Sequence, residues 1–430
     1  MKNVLIITYY FPPMEGIGGI RPFGLAKYLP AYGWNPIILT PVLPGDPNLK
    51  GRIIQTPYYD VVENWKRRIG LNPKKPLNEQ FHVKRRKNRP SIIERCTVLP
   101  HEIMIYPDDK IGWYNFAVLA GEKILKTEQI DAILSSSRPE TCHLIAKTLA
   151  EKYHVPWIAD FRDLWSQNQY TYFSYFFMKY FEKKLEIKTI KHASVLTTVS
   201  QPLVNKLAVL HENKKIILIK NGFDPDLVNS DNDVDHYFTI VYTGYLYQGK
   251  RDPAILFAAI QDLCDKEIIK RDDIKIDFFC LGSPEHWLEE EIVNYHLEDL
   301  VTLHGEVSHK TAIAEQRKAQ MLLLLTWNNP EEKGVYTGKL FEYLAARRPI
   351  LSFGYTEGGV IKELLIETQA GVHVRDNEEI KEVIIKAYRE YKDFGAVLYR
   401  GIDEEVMKYS HKEMARKFGE VLETVSKKHL

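Results

Sequence analysis

Val4-Leu5-Ile6-Ile7-Thr8, running into Tyr9-Tyr10-Phe11-Pro12-Pro13-Met14-Glu15-Gly16-Ile17-Gly18-Gly19-Ile20-Arg21, is the stretch on which the fold class of this chain turns. The apolar run is β-branched and unbroken, so it reads as a strand buried on both faces, and it is too short for a signal-peptide core. A glycine-rich loop follows, and then a helical pattern from about Arg21 to Tyr32. Short runs of the same kind recur at 35–40, 131–136, 155–160 and 195–200, separated by amphipathic helical segments. After the turn-rich Asn221-Gly222-Phe223-Asp224-Pro225 the alternation starts again, with runs at 238–244, 275–282, 300–305, 321–327 and 348–354.

This pattern predicts an α/β chain of two doubly wound Rossmann-like domains, 1–220 and 221–410, facing a cleft at the carboxyl ends of their strands. Residues 411–430 read as an amphipathic helix and a candidate to return to the first domain. Residues 45–105, rich in Pro, Lys and Arg, fit the alternation poorly and are expected to be a basic insertion or long loop. The 430 residues, 45% hydrophobic and 27% charged, are too many for a single core. Lys+Arg of 58 against Asp+Glu of 57 leaves a net charge of +1, so no global field marks a nucleic-acid binder. Cys96, Cys142, Cys264 and Cys280 form no C-x-x-C pair, which points to buried thiols in a reducing compartment and away from a zinc or disulfide framework. Nowhere does the sequence reach the roughly 18 uncharged apolar residues that span a bilayer.

Candidate chemistry lies where the loops leave the strands. Gly18 and Gly19 allow a ligand close to the backbone, and the helix after them offers amides to an anion; a tight turn alone would also need such glycines. The spacing is not a dinucleotide fingerprint. In Tyr336-Thr337-Gly338-Lys339-Leu340-Phe341-Glu342, a helix start brings amides, a hydroxyl and a cation together where a diphosphate can sit, with Glu342 one turn on for ribose hydroxyls. A solvated helix start is the plainer reading of the same residues. Gly244 ends the first strand of the second domain, and Lys250 and Arg251 beyond it can oppose the charge on a leaving nucleoside diphosphate. Asp160, Arg162 and Asp163 follow a buried strand of the first domain, suited either to orienting a substrate or to bracing the loop as an ion pair. Ser135-Ser136-Ser137-Arg138-Pro139 can bind a ligand or cap the next helix.

Taken in order, IITYYFPPMEGIGGIR, PWIADFRDLW, TTVSQPL, IKNGFD, YTGYLYQGKRDP, GKLFEYLAARRPIL and GGVIKELL resemble glycosyltransferase family 4 of the GT-B clan, over nearly the whole chain. The resemblance implies a nucleotide-sugar donor as co-substrate, retention of the anomeric configuration, no metal and no other cofactor, and a glycan or lipid-linked acceptor in polysaccharide or glycolipid synthesis. The reducing compartment suggested by the cysteine pattern makes a cytoplasmic enzyme the expectation. By position, Glu342 resembles the second glutamate of the family's E-x7-E motif, which binds the donor ribose; the first glutamate's place is Gly334. Glu331, Glu332 or the amides of Tyr336 to Gly338 are candidates to stand in for it. Lys250 resembles the phosphate-binding lysine, and Tyr245 replaces the usual arginine, leaving Arg251 to compensate. The histidine common in the first domain is missing from the neighbourhood of Phe161, Arg162 and Asp163. These departures keep two alternatives open, a GT-B nucleotide-sugar 2-epimerase and a non-catalytic partner subunit that binds a nucleotide sugar.

Between Tyr170 and Phe181 the chain reads YTYFSYFFMKYF, and Lys183-Lys184 follow. Aromatic and basic side chains together suit an anionic membrane surface on the cytoplasmic face, and a buried helix is the alternative. Trp65-Lys66-Arg67-Arg68, Lys74-Lys75 and Lys84-Arg85-Arg86-Lys87 add basic character, with no recognition motif to suggest nucleic acid.

Overall fold

A computed structural model shows the chain apart from residues 15, 50, 69, 73–74, 76–102, 169–175, 229–232, 248, 281–285, 330–332, 356, 358 and 428–430. It divides into two compact units, one of 1–220 with 414–430 and the other of 221–413. The strands of the first are β1 (Lys2–Ile7), β2 (Trp34–Pro41), β3 (Arg52–Thr56), β4 (Ala132–Ser137), β5 (Trp157–Phe161), β6 (Val195–Thr198) and β7 (Ile216–Leu218). They form a seven-stranded sheet in the order 3-2-1-4-5-6-7, with every pair parallel. Its helices are α1 (Ile20–Tyr28), α2 (Val61–Arg68), α3 (Tyr114–Thr127), α4 (Thr141–Tyr153), α5 (Phe176–Ile190) and α6 (Gln201–Leu210).

The apolar run of β1 explains the layering. Leu5 and Ile7 enter one core with α3 and α4, while Val4 and Ile6 enter the other with α1 and the C-terminal helix. The second unit repeats the plan with β8 (Phe238–Thr243), β9 (Ile274–Phe279), β10 (Val301–Leu303), β11 (Met321–Leu325), β12 (Ile350–Phe353) and β13 (Gly371–His373), ordered 10-9-8-11-12-13 and again parallel. Its helices are α7 (Ala254–Asp265), α8 (His286–Asn294), α9 (His309–Lys318), α10 (Gly338–Ala346), α11 (Gly359–Thr368), α12 (Asn377–Phe394) and α13 (Asp403–Met407). Met321, Leu323 and Leu325 of β11 line one core, and Leu322 and Leu324 line the other. In both sheets the strand order reverses beside the first strand, so the loops after β1 and β4, and after β8 and β11, flank the two switch points where ligands of this fold bind.

Residues 45–105, expected as an insertion or long loop, instead contribute β3, paired with β2 from Ile37↔Arg52 to Pro41↔Thr56, and the short helix α2. As an edge strand β3 buries little of itself, which is why its composition hides it. Among the expected buried thiols, Cys142 and Cys264 are buried, Cys280 is partly exposed and Cys96 lies outside the described residues. The last helix, α14 (His411–Lys427), places Met414, Ala415, Phe418, Val421, Leu422 and Val425 in the core of the first unit. No helix among the described residues is long and apolar enough to cross a membrane.

One polar contact sits inside this apolar packing. Arg21, 3% exposed, donates from Nε and from one terminal nitrogen to the two oxygens of Asp160, 0% exposed, both at 2.9 Å. The same guanidinium donates to the carbonyls of Ile219 (3.0 Å) and Lys220 (3.1 Å) and lies 5.0 Å from the Phe418 ring centre. Thr197 and Ser136 also donate to the Asp160 carboxylate, at 2.7 and 3.2 Å. Burial alone would raise this carboxyl's pKa; Arg21 and the hydroxyl of Thr197 outweigh it and hold the group below the usual range. Removing one partner strands the other charge without water, which typically costs about 3–5 kcal/mol. Asp160→Asn is therefore expected to lower the unfolding free energy of the first unit by about that amount, measured as a shift of its urea transition; an unshifted transition would show that the pair braces nothing.

Candidate functional site

At the switch point of the second sheet, the end of β8, the loop after it and the start of α10 come together. Gly244 has φ +114°, and a Cβ there would lie 2.8 Å from Lys339 Nζ, so the lysine side chain passes directly against this glycine. Lys339 Nζ stands 3.9 Å from the Tyr242 ring centre and is buried without a hydrogen-bond partner among the described residues, although the residue's stem is partly exposed. Burial, helped by the nearby positive charge of Arg251, holds its pKa well below the ordinary lysine value. Thr337, the N-cap of α10, makes no side-chain cap, and its buried Oγ1 also has no partner among the described residues. The helix start thus brings together an uncapped first turn, a hydroxyl and an amino group that none of the described residues meets, and such donors are the kind that anions take up at helix N-termini.

The other expected residues border the same end of the sheet. Lys250 is exposed, with Nζ 4.2 Å from the ring centre of Trp327, the second residue past β11. Arg251 donates to the carbonyl of Tyr245 at 3.3 Å and lies 4.6 Å from the Tyr247 ring centre. Glu342, one turn into α10, accepts from His309 Nε2 at 3.0 Å and from Gln316 Nε2 at 3.2 Å. Gln316 in turn donates to Thr243 Oγ1 at 3.0 Å, linking the glutamate to the end of β8. The hydrogen bond to Glu342 raises the pKa of His309. Tyr336 is half-buried with its ring 5.7 Å from Phe341, burial raising its phenol pKa, and Gly338 is the first residue of α10. Gly334, in the place of the family's first glutamate, is buried; Glu331 and Glu332 lie outside the described residues.

In the first unit the structure separates residues that the sequence grouped. Asp160, expected to orient a substrate or brace its loop, is fully occupied by Arg21, Thr197 and Ser136, which leaves it a brace. Arg162 donates to the carbonyls of Ser137 (2.6 Å) and Arg138 (2.7 Å), and Asp163 is exposed. Ser135, Ser136 and Ser137 are buried and cap no helix: Ser135 Oγ meets His143 Nδ1 and the Trp157 indole at 2.7 Å each, and the other two hydroxyls turn to Asp160. Gly18 packs on the Tyr10 ring and Gly19 on the Phe11 backbone, where a Cβ would come within 2.8 and 3.1 Å. The expected basic patch is divided as well. Lys66 is buried and donates to the carbonyl of Lys75 at 2.9 Å, while 84–87 lie outside the described residues.

Sequence reasoning gave no role to Thr243 and Trp327, which lie in stretches it quoted, and missed His309 and Gln316, which carry no motif and reach the site only through the fold. It also missed a group of acids around the start of α4, two of them buried and one, Asp108, half-buried. Glu140, at the N-cap of α4, is 1% exposed and Glu182 is 2% exposed. Asp108 accepts from the amide and hydroxyl of Thr141 at 2.7 and 2.9 Å. Burial raises all three carboxyls, Glu182 to about 8. Among the described residues, no group of three or more His, Cys, Asp or Glu is arranged to hold a metal ion.

Two Rossmann-like units of this strand order are the architecture of the GT-B glycosyltransferases. The sequence profile of Glycosyltransferase Family 4 matches residues 84–227. A glycosyltransferase from Rickettsia africae ESF-5 is similar in structure, with a TM-score of 0.60 and 15% identity over 99% of this chain and 98% of that one. Anabaena Alr3699/HepE in complex with UDP gives a TM-score of 0.59 at 14% identity, covering 99% and 100% of the two chains. A putative UDP-N-acetylglucosamine 2-epimerase from Listeria monocytogenes gives 0.54 at 12% identity, covering 100% and 98%. No curated protein sequence matches the chain. The chain is thus similar to Glycosyltransferase Family 4 in sequence over residues 84–227, and along its length it shares the fold of these structures.

Two outcomes follow from the charges buried in the units. Carboxyls with raised pKa values bind protons on folding, so their contribution is full below about pH 4.5 and is lost as pH rises towards 8. Glu182→Gln is expected to flatten this fall and to raise the melting temperature of the first unit at pH 8, read by calorimetry between pH 5 and 8. Lys339 works the other way for a ligand, since only its charged form holds an anion. Pyrophosphate affinity is expected to weaken with rising pH well before an ordinary lysine titrates, and Lys339→Met should abolish both that dependence and most of the binding in calorimetric titrations.

Proposed function

We propose that this protein is a glycosyltransferase that moves a sugar from a nucleoside diphosphate to a glycan or lipid-linked hydroxyl, with retention at the anomeric carbon. The observation that carries the reading is the buried, unpartnered ammonium of Lys339 at the uncapped start of α10, against Gly244. A pyrophosphate there would restore what these groups lack, and Lys250 and Arg251 would face its outer oxygens. Glu342, steadied by His309 and Gln316, keeps carboxylate capacity for ribose hydroxyls. Anabaena Alr3699/HepE is described in complexes with UDP and UDP-glucose, which makes UDP-sugars the first donors to test.

In this reading the bond from the anomeric carbon to the phosphate oxygen breaks as the bond to the acceptor oxygen forms on the same face. The acceptor proton passes to the departing phosphate. The cationic side chains and helix amides stabilise the charge gathering on that phosphate, so the chemistry calls for no metal or added cofactor. We take the compartment to be the cytoplasm, in keeping with the buried thiols of Cys142 and Cys264 outside any disulfide.

A second reading, a nucleotide-sugar 2-epimerase, draws on the similarity to the Listeria protein and on Gly334 standing where the family has a glutamate. The two differ in product. A thermal-shift panel of UDP-, GDP- and ADP-sugars identifies the donor, and nucleoside diphosphate release is then followed with and without glycan and lipid-linked acceptors. A transferase gives acceptor-dependent release, whereas an epimerase converts the sugar with no net release. Lys250→Ala and Glu342→Ala are each expected to reduce turnover by about a hundredfold with melting temperature unchanged; normal turnover in both would refute this donor site.

A further inference from the structure

We propose that the outer face of α5 is a docking surface for an anionic lipid bilayer. The helix sequence is Phe-Phe-Met-Lys-Tyr-Phe-Glu-Lys-Lys-Leu-Glu-Ile-Lys-Thr-Ile, which by composition alone is a mixed-charge helix. The structure sorts those charges by sign. Its two glutamates are both turned inward: Glu182 is 2% exposed, and Glu186 is 0% exposed, accepting from the Ser166 amide at 2.9 Å and contacting His211 Nε2 at 3.1 Å. Every lysine of the helix, Lys179, Lys183, Lys184 and Lys188, is exposed, and so is Lys191 just beyond it.

Between the lysines, Tyr180, Phe181 and Ile187 are exposed by 56%, 52% and 41%. Tyr180 and Phe181 pack edge to face with centroids 5.9 Å apart, and Lys184 Nζ lies 4.5 Å from the Tyr180 ring centre. An apolar ridge held up by its own ring contacts and flanked by cations, with the acids removed to the interior, complements a surface that is negative outside and apolar just beneath. Nucleic acid would match the lysines but would leave the isoleucine and the ring edges without a counterpart, so a bilayer accounts for more of the face. The sequence pointed to an aromatic run from Tyr170; residues 169–175 lie outside the described residues, and the face defined here begins at Lys179.

This surface does not depend on the donor-site reading, and its test uses no sugar nucleotide. Full-length protein is mixed with sucrose-loaded vesicles of phosphatidylcholine, with and without phosphatidylglycerol, and sedimented at 0.1 and 0.5 M salt. Binding is expected to phosphatidylglycerol vesicles and to weaken at the higher salt. Each cation near such a surface is worth about fivefold in partitioning, so Lys179→Gln, Lys183→Gln and Lys184→Gln together should reduce it about a hundredfold. Phe181→Ser with Tyr180→Ser should reduce it further while leaving the salt dependence in place. All five positions are solvent-exposed, and matching thermal melts confirm that the variants fold. Failure of the wild-type protein to sediment with anionic vesicles overturns the proposal, as does undiminished binding by the lysine variant. Binding to single-stranded RNA of similar charge density without vesicle binding also overturns it.

Discussion

The first unit is organised around the guanidinium of Arg21. It takes both oxygens of Asp160 from the end of β5, the carbonyls of Ile219 and Lys220 where the unit's continuous run of chain ends, and the ring of Phe418 from α14. A buried arginine is tolerated when its fixed fork of donors is met, and here backbone and carboxylate acceptors meet it. Hydrophobic burial supplies the bulk of the folding free energy but is indifferent to register. The arginine is not, because its donors are satisfied in one arrangement of α1, β5 and α14. An exchange for lysine would keep the charge and lose the fork.

The second unit treats its central cation in the opposite way. Lys339 is as hidden as Arg21 at its nitrogen, yet nothing among the described residues accepts from it, and none of them meets the hydroxyl of Thr337 beside it. A buried polar group left unmet costs stability. In one unit a buried cation joins segments of the chain; in the other, the amino group is met by none of the described residues.

Much of this was legible in the sequence because parallel strands buried on both faces leave unbroken apolar runs. Every such run named from the sequence overlaps a strand. The three strands not read from it, β3, β7 and β13, are all sheet edges. Their burial is partial, so Arg52 and Gln55 sit in β3 without disturbing a core. The rule that ligands gather at strand ends singled out the Gly244 and Lys339 segments, which the structure brings side by side, since that rule concerns the backbone. It failed for Asp160, whose partner is 139 residues away, and for Gln316 and His309, which lie on a helix remote in sequence from Glu342. Side-chain partners of that kind are set by the packing of whole layers, and no local pattern records them.

The placement of α14 bears on the order in which the protein is made. The second unit is an uninterrupted stretch, whereas the first draws Met414, Phe418 and Leu422 into a core whose other members run from Val4 to Ile219. During vectorial synthesis the earliest-made half therefore emerges with one apolar layer uncovered, and it stays so while the ribosome completes 221–413. The later-made half can close first. The core of the first unit is therefore complete only once residues far downstream have joined it.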